Sequence, residues 1–196
     1  MSGLVELDRR AVEQGTVPVG AARGRLDLPT PCAGWTLGRL LAHMAGQHLG
    51  FAAAARGSGA DPGVWADVPV DDDPAGRYAA AADEALAAFA EPGALERRWR
   101  LPEVHPTFGF PGATALGFHL LDYVVHGWDV AESLGLRVEF DQDVLGAALA
   151  VARQVPDGPE RKAPGAAFRP ALPAPDGAGP LERILAATGR PTAWRG

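Results

Sequence analysis

Hydrophobic residues recur along this chain at helical rather than strand spacing, and the breaks between periodic stretches fall at Pro, Gly and Asp. Residues 4–24 carry a first helical pattern that Gly15 and Pro18 interrupt. Proline inside a helix removes a hydrogen bond, so this pattern predicts a kink or a split. A turn-rich connector runs from Leu28 to Trp35, and Thr36 then stands as N-cap of a second helix over 37–56, with Leu37, Leu40, Leu41, Met44 and Phe51 on one face. Residues 57–75 read as a Gly/Asp/Pro loop ending in Asp71-Asp72-Asp73-Pro74. That run reads as a solvated charge cluster, and it can also seed the start of a third helix at 75–91. Residues 92–111 are irregular, with a short extended piece at Arg98–Val104. A fourth helix is predicted over 112–135, a fifth over 141–155 behind Asp141 as N-cap, and a last amphipathic one over Leu181–Thr188. The Pro/Gly-rich stretch 156–180 precedes that last helix, so it is expected to lie against the bundle and to cover the mouth of a site. Strand signals are few, and the expected class is all-α in a single domain, 1–196.

Helix four carries the chemistry. Residues 112 to 131 hold no Lys, Arg or Glu, and Leu116, Phe118, Leu120, Leu121, Val124, Val125, Trp128 and Val130 cover most of its circumference. Such a helix is buried on most sides. His119, Asp122, His126 and Asp129 nevertheless recur at steps of three, four and three, and so form one stripe. A solvent face would account for the spacing, but solvent faces are built from Glu, Lys and Arg. Buried imidazoles and carboxylates need partners, and a metal ion would satisfy them. Asp122 and His126, four apart, can reach one ion; imidazole and carboxylate suit zinc, and also iron or nickel. A third ligand has to come from another helix. Periodicity nominates His48, central on the apolar face of helix two, as that inward-facing ligand, with His43 at the edge of the face beside Gln47; spacing alone leaves the choice open.

Composition narrows the function classes. The chain has 196 residues, 47% of them hydrophobic and 21% charged, which suits one soluble domain with a substantial core. The net charge of -6 without a basic patch argues against nucleic acid as a partner. Cys32 is the single cysteine, which excludes an intramolecular disulfide and a cysteine-based zinc knuckle. It sits in a Pro-flanked connector without an adjacent base, and a structural role is the simpler reading. The N-terminus lacks the pattern of a signal peptide and no apolar run is long enough to span a membrane, so a cytoplasmic location is expected. Lys162 is the sole lysine, which argues against Schiff-base chemistry. The serines, Ser2, Ser58 and Ser133, form no nucleophile elbow, and no phosphate-binding glycine loop occurs.

Two segments carry a family resemblance. Thr30-Pro31-Cys32-Ala33-Gly34-Trp35-Thr36-Leu37-Gly38-Arg39-Leu40-Leu41-Ala42-His43 resembles the PCxGWTxxxLLAH signature of the mycothiol-dependent maleylpyruvate isomerase-like proteins, in the DinB/YfiT-like superfamily. His119 to Ala131 is similar to the second signature, a carboxylate followed by x3-His-Gly-Trp-Asp, and Ile184–Trp194 with Gly189-Arg190-Pro191 resembles the end of the short actinobacterial branch. The resemblance implies a DinB-like up-down four-helix bundle, here with additional short C-terminal helices. It also implies a divalent metal held by His43, Asp122 and His126, with an open position. Characterised members use low-molecular-weight thiols such as mycothiol in isomerisation or S-transfer. The isomerase itself has Glu in place of Asp122 and carries a second, C-terminal domain, so its substrate does not transfer.

In such a site two histidines and one aspartate leave a divalent cation at +1, which favours a thiolate. Gln47 and His119, one turn from the ligands, are candidates for orienting ligands or substrate, and Asp129 for bonding the free ring N–H of a ligand or for capping structure. The expected function is therefore a zinc-dependent thiol transferase or isomerase acting on a small electrophile, with a homodimer compatible with the sequence. The competing readings are a metal-dependent tailoring enzyme without thiol, a 2-His-1-carboxylate iron oxygenase, and a non-catalytic metal-binding stress protein.

Overall fold

The computed structural model describes residues 3–70, 73–163 and 166–194. Its elements in chain order are α1 (Gly3–Thr16), α2 (Leu37–Ala55), α3 (Pro74–Phe89), β1 (Arg98–Arg100), β2 (Gly109–Pro111), α4 (Gly112–Leu134), α5 (Gln142–Ala152) and α6 (Pro180–Ala187). Three short 3-10 turns join them at Val17–Ala21, Pro62–Trp65 and Pro159–Lys162. The architecture is all-α and DinB-like. Helix α1 packs on α4, α2 on α3 and α4, and α5 on α4 and α6. Among the described residues no helix is long and apolar enough to cross a membrane.

Local chemistry accounts for the helix boundaries. The first pattern divides where Pro18 predicts, into α1 and the 3-10 turn. Thr36 caps α2 by accepting the Arg39 amide at 3.3 Å. Asp73 caps α3 by accepting the Gly76 amide at 3.0 Å; the rest of the acidic run, Asp71 and Asp72, lies outside the described residues. Asp141 holds the N-cap position of α5 without capping it, because its carboxylate bonds Arg10 of α1 at 2.7 Å. The extended piece at Arg98 is half of a hairpin: β1 pairs antiparallel with β2, Trp99 facing Phe110.

Two close approaches set the geometry around the polar stripe. A Cβ on Gly127 of α4 would lie 2.9 Å from the Gly15 Cα of α1, so these helices cross backbone to backbone. Gly15 is thus a packing residue rather than a helix break. On α2, a Cβ on Gly46 would lie 2.4 Å from the Ala66 carbonyl oxygen, and one on Gly50 would lie 2.2 Å from the Trp65 ring. These bare positions let the segment around 65–68 lie on α2, where the Val68 amide bonds the Ala42 carbonyl at 2.9 Å. Asp67 is thereby delivered to His43.

Candidate metal centre

The stripe on α4 divides into two separate polar sites. His119 does not join His126. Its Nδ1 lies 2.7 Å from Asp8 Oδ1 of α1 and its Nε2 lies 3.1 Å from His48 Nδ1 of α2. All three residues are 0% exposed. Rings of Phe51, Phe89 and Tyr123 surround His119 at centroid distances of 4.9, 4.8 and 4.3 Å, and His48 stacks on Tyr123 at 3.8 Å. The Tyr123 hydroxyl donates to the Met44 carbonyl at 2.5 Å. Burial, assisted by the neighbouring His119 charge, pushes the His48 pKa well below its ordinary value. Burial also raises that of Asp8, against the pull of His119. This is a core network bonding α1, α2 and α4. His119, expected to orient ligands or substrate, has Asp8 and His48 as its hydrogen-bond partners.

The second site is built around His126. Asp129 Oδ2 lies 2.9 Å from its Nδ1, and Asp122 Oδ1 lies 3.4 Å from its Nε2, so the ring sits between two carboxylates on opposite edges. Burial opposes a charge on this ring. Asp122 and the Asp129 hydrogen bond outweigh burial and raise its pKa well above the ordinary value. The field here favours a cation. His43 of α2 faces the same space, its ring edge-on to that of His126 with centroids 6.0 Å apart. Its Nδ1 lies 3.4 Å from Asp67 Oδ1, and Trp35 packs edge-on against it at 4.9 Å. Trp35 is placed by the connector, where the Thr30 hydroxyl donates to the Cys32 and Trp35 carbonyls, each at 3.1 Å.

Gln47 points at this space but bonds Glu103 rather than a histidine, Nε2 to Oε2 at 3.1 Å. Glu103 extends from the β1–β2 loop, anchored by the buried Trp99 and Leu101. Burial raises its carboxyl pKa; His43 and Gln47 oppose this, while Asp122 and Asp67 add to it. Asp129 is 0% exposed and is gripped by Arg190, whose Nε lies 2.9 and 3.0 Å from its two oxygens and whose Nη2 lies 2.9 Å from Oδ2. Burial would raise the Asp129 pKa, but Arg190 foremost, with His126, brings it down to about 2. Cys32 completes the cluster, with Sγ 3.3 Å from Asp129 Oδ2, 3.9 Å from His126 Nδ1 and 3.6 Å from Arg190 Nη2. The sequence offered no signal for Glu103 or Asp67, which lie in loops, and marked Arg190 only as part of the Gly189-Arg190-Pro191 resemblance, without a role.

Two donor sets share His126. Cys32, His126 and Asp129 bring their donor atoms within 4.8 Å of one another. Both Asp129 oxygens are already held by the Arg190 guanidinium, however, and a metal there would meet a fixed positive charge about as far away as Asp129 itself. On the other edge, Nε2 of His126 lies 3.4 Å from Asp122 Oδ1, and the His43 ring stands edge-on at a centroid distance of 6.0 Å. A histidine ligand ordinarily donates its second ring N–H to a carboxylate or carbonyl, which fixes the tautomer. Asp129 is placed to do this for His126, and Asp67 at longer range for His43. By donor type, His126 and Asp122 with His43 suit a divalent ion, while the three donor atoms that converge within 4.8 Å are those of Cys32, His126 and Asp129. The Pro/Gly-rich loop is tied to the end of α6: buried Arg161 bonds the Pro156, Arg169 and Ala187 carbonyls at 2.7, 3.2 and 2.6 Å, and the Leu172 amide bonds the Ala186 carbonyl at 2.8 Å.

Comparison with known proteins places the fold and the family. The chain is 30% identical over 169 residues to two uncharacterized proteins of Mycobacterium tuberculosis, MT0763 and Rv0738, covering 83% of this chain and 83% of each of theirs. Its fold is similar to the crystal structure of the mycothiol-dependent maleylpyruvate isomerase, with a TM-score of 0.51 at 12% identity over 76% of this chain and 66% of that one. The family model for the mycothiol maleylpyruvate isomerase N-terminal domain matches residues 10–131, the span that carries α2, α3, α4 and both candidate histidines. With well over half its length inside that match, the chain belongs to the mycothiol maleylpyruvate isomerase N-terminal domain family.

Proposed function

We propose that this protein is a divalent-metal-dependent enzyme, with zinc the favoured ion, that uses a low-molecular-weight thiol such as mycothiol either to isomerise a small electrophile or to add its sulfur to one. The observation that carries the reading is the placement of His126 between Asp129 and Asp122, with His43 edge-on across the same space. His43, Asp122 and His126 would hold the ion. A cation bound there supplies Lewis acidity and favours the thiolate form of a thiol at neutral pH. Two neutral imidazoles and one carboxylate leave the centre with a net positive charge, which attracts that anion. Asp129 keeps the His126 ring turned so that Nε2 faces the site. Trp35 packs edge-on against one side of His43 and limits how that ring can turn. Glu103 bonds Gln47 through Oε2, which leaves Oε1 to take the proton of an incoming thiol and return it to the departing one. Its raised pKa brings that exchange closer to neutral pH.

Family membership supports the use of a thiol, and the name of the structural relative suggests maleylpyruvate as a first substrate to try. Protein purified without a histidine tag should be assayed for metal by elemental analysis. It should then be assayed for mycothiol-dependent isomerisation of maleylpyruvate and for mycothiol conjugation to a panel of small electrophiles. The expected outcome is bound zinc and turnover that requires both thiol and metal. Zinc without any thiol-dependent turnover would remove the thiol and leave a tailoring enzyme or a binding protein.

A further inference from the structure

The family match ends at residue 131, yet the candidate centre takes a side chain from far beyond it. We propose that Arg190, carried by the segment after α6, is a positioning residue for the metal centre. It fixes the Asp129 carboxylate that aims His126, so that docking of this C-terminal segment and metal binding are coupled. The proposal rests on the reading that His126 is a metal ligand.

The segment is built to present this side chain. Helix α6 docks through Ile184 and Leu185, both buried, with Ile184 in the same core cluster as Leu121 and Val125 of α4. Thr188 ends the helix by donating its hydroxyl to the Ile184 and Leu185 carbonyls at 3.0 and 3.1 Å. Gly189 adopts φ 76° with Arg169 packed where a Cβ would stand, at 2.6 Å, so only glycine suits the reversal. The Arg190 amide then bonds back to the Leu185 carbonyl at 2.8 Å. The reversed backbone points the guanidinium at α4, where its Nε and Nη2 both reach Asp129 and the residue is 8% exposed.

Asp129 has no other positively charged side chain bonded to it besides His126, among the described contacts. A buried carboxylate held by two donors from one planar group has a single orientation. Without Arg190, that carboxylate loses the partner that opposes His126, and its aim at Nδ1 is lost with it. The coupling must run both ways: if the docked segment strengthens metal binding, metal strengthens docking by the same factor. A purely structural ion pair would stabilise the fold without this reciprocity.

The experiment uses the full chain and zinc as probe. Zinc affinity is measured by chelator competition for wild type, Arg190→Gln, Arg190→Lys, Asp129→Asn and the double variant Arg190→Gln/Asp129→Asn. Amide exchange in residues 184–190 is followed with and without zinc. Arg190→Gln is expected to weaken zinc by about 10–100-fold, as loss of an outer-shell partner does. Arg190→Lys keeps the charge but not the two-pronged geometry, and is expected to fall between it and wild type. The double variant should bind no more weakly than Asp129→Asn alone, because both changes break one chain of contacts. Zinc should slow exchange in residues 184–190 of wild type and not of Arg190→Gln. If Arg190→Gln does not fold, Arg190→Lys carries the test, and an unchanged affinity in it overturns the proposal. Equal zinc affinity in wild type and Arg190→Gln, or zinc-independent exchange in wild type that binds zinc, overturns the proposal while sparing the metal centre. A wild type that binds no zinc overturns the reading on which both rest.

Discussion

Replacing Asp8 by Ala separates the core network from the metal centre. The substitution removes the acceptor 2.7 Å from His119 Nδ1 at a site where both residues are 0% exposed. Water cannot replace the lost contact without a cavity large enough to hold it. Leaving a buried neutral donor unsatisfied costs about 1–3 kcal/mol, and breaking a buried ion pair about 3–5 kcal/mol. Burial raises the Asp8 pKa and His119 opposes it, so the pair stands between these cases, and about 3 kcal/mol is expected. For a chain of this size that lowers Tm by roughly 6–12 °C. Asp8→Asn retains an oxygen that can accept from Nδ1 and should cost about 1 kcal/mol. The assay is thermal unfolding by circular dichroism, paired with zinc content of the folded protein at 20–25 °C, well below either transition (about the temperature at which these energies apply). Asp8→Ala should be less stable and fully zinc-loaded. A Tm within about 2 °C of wild type would refute the energetic argument. A folded Asp8→Ala that has lost its zinc would refute the division of the stripe into two sites.

Further predictions concern packing, pH and proton transfer. Gly50→Ala places a Cβ 2.2 Å from a buried indole that cannot move aside, and should lower stability by about 1–3 kcal/mol or more in thermal or denaturant unfolding. His48 is depressed in the folded state, so it contributes stability above its ordinary value of 6.5 that is lost as pH falls below it, where only the unfolded chain takes up the proton. Wild type should therefore lose about 1.4 kcal/mol per pH unit relative to His48→Gln below that point; a pH-independent difference between the two would count against a neutral, buried His48. Glu103→Gln should lower thiol-dependent turnover by about 100-fold while leaving zinc content unchanged, and unchanged turnover would exclude Glu103 from proton transfer.

The helices were legible because each buries a stripe at helical spacing and several are bounded by Pro, Thr or Asp. Pro18, Thr36 and Asp73 act as their chemistry dictates. The β1–β2 hairpin was only half legible, since three residues per strand carry too little alternation to show a partner. The absence of Lys, Arg and Glu marked the α4 stripe as something other than a solvent face, and the structure buries His119, His126 and Asp129 and leaves Asp122 partly exposed. Its division was hidden. His119 and His126 lie seven residues apart, about 10 Å along the axis, and so meet different neighbours, Asp8 from α1 and Arg190 from the C-terminal segment. On α2, periodicity alone nominates His48, central on the apolar face, as the ligand, and the structure instead buries it in the core against His119. His43 reaches the site because it stands at the edge of that face. Asp67, Glu103 and Arg190 sit where no periodicity applies, and three-dimensional packing alone brings them in.

Zinc binding by a short series of variants tests the metal centre most directly. Wild type, His43→Ala, Asp122→Ala, His126→Ala and His48→Gln would each be titrated with zinc against a chromophoric chelator, with folding checked by circular dichroism. The account predicts one tight site in wild type and its loss in the His126, His43 and Asp122 variants. His48→Gln should be less stable yet bind zinc at full strength, because His48 bonds His119 in the core and takes no part in the centre. Full-strength binding by His43→Ala, with loss in His48→Gln, would contradict the assignment.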